Sequence, residues 1–264
     1  MARERRLVFG EVAELYHRHR PAYPERLVDD LVELAGLDGG ETVLEVGAGT
    51  GKATTMFAAR GIPVLAIEPS EEMASVARRS CSSYTDVHIE RSDFETWDPA
   101  GRRFPLLFSA QAWHWIRQPA GYAKASSVLS PGGRLAAFWS RPLWAKSELR
   151  PVLLATYEQA APELVALDGS LHPGRSFPEG EANWEEAIAA ADGLTGAEIR
   201  DYEWEEEYSA DAYVALLNTH SAIRVLDEDR RAALLTAVAE VIRDNGDRLT
   251  LPLVTRVCTA SRRE

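Results

Sequence analysis

The chemistry legible in this chain gathers at Glu45-Val46-Gly47-Ala48-Gly49-Thr50-Gly51, a carboxylate followed by glycine at alternate positions. Glycines admit backbone conformations closed to other residues and let a ligand approach the main chain closely. Three kinds of site use such turns, and spacing separates them. A phosphate-cradling P-loop requires G-x-x-x-x-G-K-[ST]; here Val46 stands five places before Gly51 and Ala53 follows Lys52, so the pattern fails twice. The dinucleotide fingerprint G-x-G-x-x-[GA] places Lys52 where helix–strand packing asks for a small residue, which weakens it. Acidic-x-G-x-G-x-G remains. Its carboxylate would repel a pyrophosphate and favour a ligand carrying an ammonium and a sulfonium.

Two further acidic residues follow at later strand ends. Glu68, closing the run Val64–Glu68, can accept from both hydroxyls of a ribose. Asp93 is placed for an adenine amino group, and Phe94 beside it offers an apolar face. Amino acid, ribose and adenine are the parts of S-adenosylmethionine. His114 has two readings, a general base for an acceptor hydroxyl or a pocket wall. The wall is favoured, because a carboxylate acceptor is already ionised at neutral pH. Trp113, Trp115, Trp139 and Trp144 divide between core and an apolar acceptor pocket. His17 and His19 diverge on a helix, so they suit solvent rather than a metal, and the acidic run from Glu203 to Glu207 reads as an exposed strand side.

The elements that hold these residues alternate regularly. Helices are expected over Val8–Arg20 and Pro24–Leu34. Strands follow at Thr42–Val46, Val64–Glu68, Asp86–Glu90, Phe104–Ser109 and Arg134–Trp139, with helices over Ala53–Arg60, Ser70–Arg79 and Tyr122–Leu129 between them. Such alternation means βαβ units and a doubly wound α/β sheet with right-handed crossovers. Beyond Ser140 the pattern changes to helices over Ser147–Ala161, Asn183–Ala191, Ala210–Leu217 and Asp229–Asp244, and strands over Glu198–Tyr208 and Leu249–Thr259. A Gly/Pro/Ser-rich stretch, Asp168–Gly180, reads as a long functional loop. One domain is expected: an N-terminal helical segment 1–40, a core 41–140, and a part 141–264 carrying the acceptor-pocket helices and last strands.

Composition removes other classes. Lys and Arg number 29 against 41 Asp and Glu, a net charge of −12, so the basic face that nucleic acid needs has no simple warrant. Two cysteines, Cys81 and Cys258, with no CxxC, exclude a disulfide scaffold and a thiolate zinc site. The charged N-terminus and the absence of a long apolar run give no signal peptide and no membrane span. A cytoplasmic protein without metal, monomeric or homodimeric, is the expectation.

The sequence resembles the class I S-adenosylmethionine-dependent methyltransferases of the small-molecule type (methyltransferase type 11). The resemblance lies in Val43–Gly51, Ala66-Ile67-Glu68-Pro69-Ser70-Glu71-Glu72-Met73, Ser92-Asp93-Phe94 and Leu129-Ser130-Pro131-Gly132-Gly133. Phe9-Gly10 through Tyr16 to Arg20-Pro21-Ala22-Tyr23-Pro24, and Ser109-Ala110-Gln111-Ala112-Trp113-His114-Trp115, look like the trans-aconitate-type branch, so the similarity covers residues 9–140. It implies a Rossmann-like seven-stranded sheet of order 3-2-1-4-5-7-6 with the last strand antiparallel. It also implies that Glu45, Gly47, Ala48, Gly49 and Gly51 hold the methionine end, Glu68 the ribose and Asp93 the adenine. Pro69, Met73, Ser92, Phe94, Ala110 and Gln111 complete the cofactor set, although Met73 reads first as helix packing. Tyr16 and Arg20 would belong to a lid over the cofactor. Trp113, His114, Trp115 and Trp144 would face the acceptor.

The expected reaction moves the methyl group to a small organic acceptor, at carboxylate or hydroxyl oxygen, and leaves S-adenosylhomocysteine. Two other readings stay open: a protein that binds the cofactor in a cyclase-like or structural role, and an NAD-dependent oxidoreductase.

Overall fold

The computed structural model describes residues 13–166, 171–174 and 183–263. Strands β1 (Val43–Val46) and β2 (Val64–Ile67) are buried at every position, as parallel strands covered on both faces require. They are followed by β3 (Val87–Glu90), β4 (Phe104–Ala110), β5 (Leu129–Pro142), β6 (Leu194–Tyr208) and β7 (Leu249–Arg262). The sheet order is β3-β2-β1-β4-β5-β7-β6, as the resemblance implied. Neighbours from β3 through β5 pair in parallel. β7 runs the other way. Its Ser261 meets Arg134 of β5 while its Thr255 meets Ser140, and its Arg256 pairs with Asp201 of β6 while Arg263 just beyond it bonds Gly193, so partners descend as β7 ascends.

The helices are α1 (Ala13–His19), α2 (Glu25–Leu34), α3 (Lys52–Ala58), α4 (Glu71–Ser80), α5 (Ala120–Val128), α6 (Arg150–Ala160), α7 (Trp184–Ala189), α8 (Ala210–Leu217), α9 (Ser221–Arg224) and α10 (Glu228–Asp244). α4 shows why the sequence stops and starts where it does. The Ser70 hydroxyl accepts from the Met73 amide at its N-terminus, and Glu71 and Glu72 at one end with Arg78 and Arg79 at the other match the helix dipole. The described residues contain no helix long and apolar enough to cross a membrane.

The described residues form two compact units. One takes its residues from 1–21, 141–181 and 203–254; the other from 22–140, 182–202 and 255–264. The first unit buries Tyr157, Tyr213, Leu234, Val238 and Ile242 in one cluster. The second has two clusters, one holding Leu44, Val46, Leu65, Ile67 and Leu107, the other Val43, Val64, Ala66, Leu106 and Phe108. Successive strand residues enter different clusters because side chains alternate across a sheet.

β5 departs from its expected start at Arg134. Phe104 pairs with Leu129, yet Leu106 pairs with Arg134, so Ser130-Pro131-Gly132-Gly133 bulges within the strand rather than preceding it. Most of the expected loop 168–180, and the part of the expected first helix before residue 13 with Phe9-Gly10, lie outside the described residues.

Candidate functional site

The glycine turn leaves β1 in the second unit, pinned by amides of Gly47 and Ala48 donating to the Ile67 carbonyl at 2.8 and 3.1 Å. Gly47, Gly49 and Gly51 have φ of +76°, +58° and +84°. Their reasons for being glycine differ. A Cβ on Gly47 would sit 2.4 Å from the Ala112 Cβ, and one on Gly51 would sit 3.2 Å from the Cys81 sulfur. Both serve packing as well as the turn. A Cβ on Gly49 meets nothing within 4 Å among the described residues. Ala48 is buried in the core.

Glu45 does not face the turn as expected. Its side chain is fully enclosed, its Oε2 accepting from the Thr54 hydroxyl at 2.5 Å and its Oε1 without a hydrogen-bond partner. The reason lies in the strand. Glu45 shares its side of the sheet with Val43, and the first turn of α3, with Thr54, lies against it. Burial pushes the Glu45 carboxyl up to about 8; the Thr54 hydroxyl works against the rise and the Glu68 charge adds to it. The Thr50 hydroxyl is likewise buried without a partner.

Glu68, at the end of β2, is the better-placed anchor. One oxygen accepts from the Gly49 amide at 2.8 Å and the other from the Ser70 amide at 2.9 Å. It ties the glycine turn to the next strand end. Pro69 beside it is half-buried, whereas Met73 is buried on α4, which supports its reading as packing. Asp93 is exposed, and its carbonyl collects the Thr96 and Trp97 amides in a tight turn. Ser92 bonds that same carbonyl at 3.2 Å. Phe94 offers no free face: it is 2% exposed, with Trp113 at 6.1 Å and the Lys124 ammonium 5.4 Å from its ring. An aromatic residue in a short turn over apolar strands gains more from burial than from solvent.

The segment after β4 closes over the turn. Half-buried Ala110 leads to Gln111 at φ +59°, whose amide donates to the Phe138 carbonyl at 2.8 Å and whose side chain donates to the Ser140 carbonyl at 3.2 Å. Ala112 rests on Gly47. Trp113 is a core residue rather than a pocket wall, packed beside Phe94 and 5.6 Å from the Tyr122 ring. His114 is exposed; its Nδ1 accepts from the Trp139 indole at 3.0 Å and its ring lies 4.9 Å from half-buried Trp115.

The remaining expected residues belong to the first unit. The Arg20 guanidinium lies 4.9 Å from the Tyr16 ring centre and donates to the Thr219 hydroxyl at 2.8 Å. Trp144 is 3% exposed in that unit's core and donates to the Leu171 carbonyl, so it too is packing rather than an open wall. Sequence reasoning missed Thr54 and the pairing of Trp139 with His114. Strand alternation could have located Thr54, the residue on a helix start facing odd positions of β1. Nothing local signals a contact between residues 25 positions apart.

Comparison with known proteins agrees with this geometry. Residues 43–133 match the family model described as a methyltransferase domain. The chain is 28% identical over 263 residues to an uncharacterized methyltransferase of Mycobacterium tuberculosis, covering 97% of this chain and 96% of that protein. In fold it is similar to a protein of Anaeromyxobacter dehalogenans provisionally classed as a type II methyltransferase, with TM-score 0.61, 23% identity and coverage of 92% and 97% of the two chains. It is similar in fold also to the [4+2]-cyclase SpnF, with TM-score 0.51, 18% identity and coverage of 93% and 84%. The matched domain spans the glycine turn, Glu68 and the segment after β4, on a sheet of the expected order: residues 43–133 are similar to a methyltransferase domain, and S-adenosylmethionine is the cofactor that such a domain uses.

Proposed function

We propose that the protein methylates a small organic acceptor at oxygen, with the cofactor seated on the glycine turn between Glu68 and the segment after β4. The observation that carries this reading is the contrast among the glycines: Gly47 and Gly51 face protein, while a Cβ on Gly49, gripped by Glu68, would meet none of the described residues within 4 Å. Bound there, the cofactor supplies a methyl group activated by a sulfonium. Glu68, at the strand end beside the turn and tied to the Gly49 and Ser70 amides, is assigned to the ribose hydroxyls. Exposed Asp93 is assigned to the adenine amino group. Alignment and exclusion of water are the chain's contribution, and good positioning can supply roughly 7–11 kcal/mol in ideal cases.

Calorimetric titration with S-adenosylhomocysteine and with NAD tests the assignment. Wild-type protein is expected to bind only the first, and Glu68→Gln to weaken it by about 1–3 kcal/mol. Binding of NAD, or undiminished affinity in the variant, would remove Glu68 from the cofactor site.

A further inference from the structure

We infer that Lys124 of α5 is a positioning residue for the adenine of the cofactor, its ammonium clamping the turn that carries Asp93. The inference rests on the proposed assignment of Asp93 to the adenine amino group.

The turn after β3 is built on one oxygen. The Asp93 carbonyl collects the Thr96 and Trp97 amides at 3.1 and 2.9 Å. Such a turn leaves its later carbonyls to find donors elsewhere. Those of Glu95 and Trp97 both accept from the Lys124 ammonium, the first at 3.1 Å. The same ammonium lies 5.4 Å from the centre of the Phe94 ring. Phe94, Glu95 and Trp97 are thus held by one side chain.

Lysine has the right shape for this task. Its head carries three hydrogens, which match two carbonyls and the face of an aromatic ring. Its place on the helix brings it there, because Lys124 lies one turn from buried Gly121 and Val128 and is itself half-buried. Burial draws the ammonium below the ordinary lysine range, and the Glu95 and Asp98 charges oppose that fall. A lysine with no task at the turn would keep its head in water. Two further ties brace the side chains of the turn: the Glu95 carboxylate accepts from the Arg117 amide at 3.1 Å, and the Trp97 indole donates to the Glu90 carboxylate at 2.5 Å. Lys124 adds the hold on the main chain.

A fixed main chain is what base recognition needs here. Adenine presents an amino donor at C6, whereas hypoxanthine presents an oxygen acceptor at the same place. A carboxylate held in position accepts from the first and repels the second. Asp93 is exposed, so on a loose turn it could swing into water and lose the distinction. The clamp makes an exposed acid selective.

Calorimetry of the full chain with S-adenosylhomocysteine and with its 6-oxo counterpart, S-inosylhomocysteine, reads the base preference. Wild type is expected to favour the amino base about tenfold or more. Lys124→Met keeps the stem and loses the donors, and its preference is expected to fall below threefold. An unchanged preference, whether affinity drops for both ligands or for neither, marks a merely structural lysine and overturns the inference. A wild type with no preference overturns the Asp93 assignment and the inference with it, so the two failures are distinct. Lys124→Arg keeps a cation with several donors and is expected within threefold of the wild-type preference; an Arg variant as indifferent as the Met variant would also sink the clamp. Hydrogen exchange without ligand tests the turn directly. The Thr96 and Trp97 amides are expected to exchange at least tenfold faster in Lys124→Met, while those of Gly47 and Ala48 stay unchanged. Equal rates at Thr96 and Trp97 in variant and wild type overturn the inference. Should Lys124→Met not fold, nitrogen-15 NMR of the wild type decides. Its Lys124 ammonium is expected to exchange hydrogens with water at least tenfold more slowly than that of exposed Lys146, and equal rates would refute the clamp.

Discussion

Glu45 shows how far a residue's type can mislead about its environment. A carboxylate one position before the strand's last residue looks like a rim group, yet Glu45 is enclosed under α3 with its carboxyl pushed up to about 8. The folded protein keeps this proton longer than the unfolded chain, whose carboxyl titrates near 4.5. The unfolded state therefore binds fewer protons over that window, and stability falls as pH rises from about 4.5 to 8, at roughly 1.4 kcal/mol per pH unit at the steepest. Glu45→Gln mimics the protonated form. Urea titrations are expected to show equal stability of variant and wild type near pH 4, and a variant more stable by a few kcal/mol at pH 8.5. A wild type that equals the variant at pH 8.5 would mean that Glu45 ionises in place without penalty. His114 teaches the complementary lesson, since residue type allowed base or wall and the structure adds a contact with the Trp139 indole that no local pattern announces.

Among elements, the glycine turn separates folding from binding. Gly47 stands at φ +76° against Ala112, so Gly47→Ala has both backbone strain and a steric clash to relieve. Its cost is expected to be at least about 3 kcal/mol, read as a lowered denaturation midpoint. Gly49→Ala has only the strain, about 1 kcal/mol. Its stability is expected to change little while affinity for S-adenosylhomocysteine falls more than tenfold, because the methyl group enters the space assigned to the ligand. Equal affinities for wild type and Gly49→Ala would move the cofactor off this face. The elements themselves were mostly visible in the sequence. β1, β2 and α4 end within a residue or two of their expected bounds because hydrophobic runs, Ser70 and the glycines are local signals. β5 was not, since the bulge at 130–133 depends on pairing with β4 and the chain there reads as an ordinary Pro-Gly-Gly turn.

Across the whole molecule, apolar packing on the two faces of the sheet holds the site's strands in place. Phe108 on β4 is fully buried, stacked 4.1 Å from Phe57 of α3 and 6.4 Å from Phe138 of β5. Phe108→Ala is expected to lose about 3–5 kcal/mol, measured by denaturant unfolding, through the cavity left between a helix and two strands. A loss below 1 kcal/mol would show that this stack collapses freely. The net charge of −12 sets the surface rather than the fold, and retention on a polyanionic column is not expected at 150 mM salt. By itself the sequence determined the alternation of strands and helices, the glycine turn and the acidic strand ends, because each is written in neighbouring residues. Only the tertiary structure decided that Glu45 and Phe94 turn inward, that Glu68 grips Gly49, and that the Trp139 indole meets His114. Those outcomes depend on which side chains meet across distant strands, and such meetings leave no mark on the local pattern that a sequence displays.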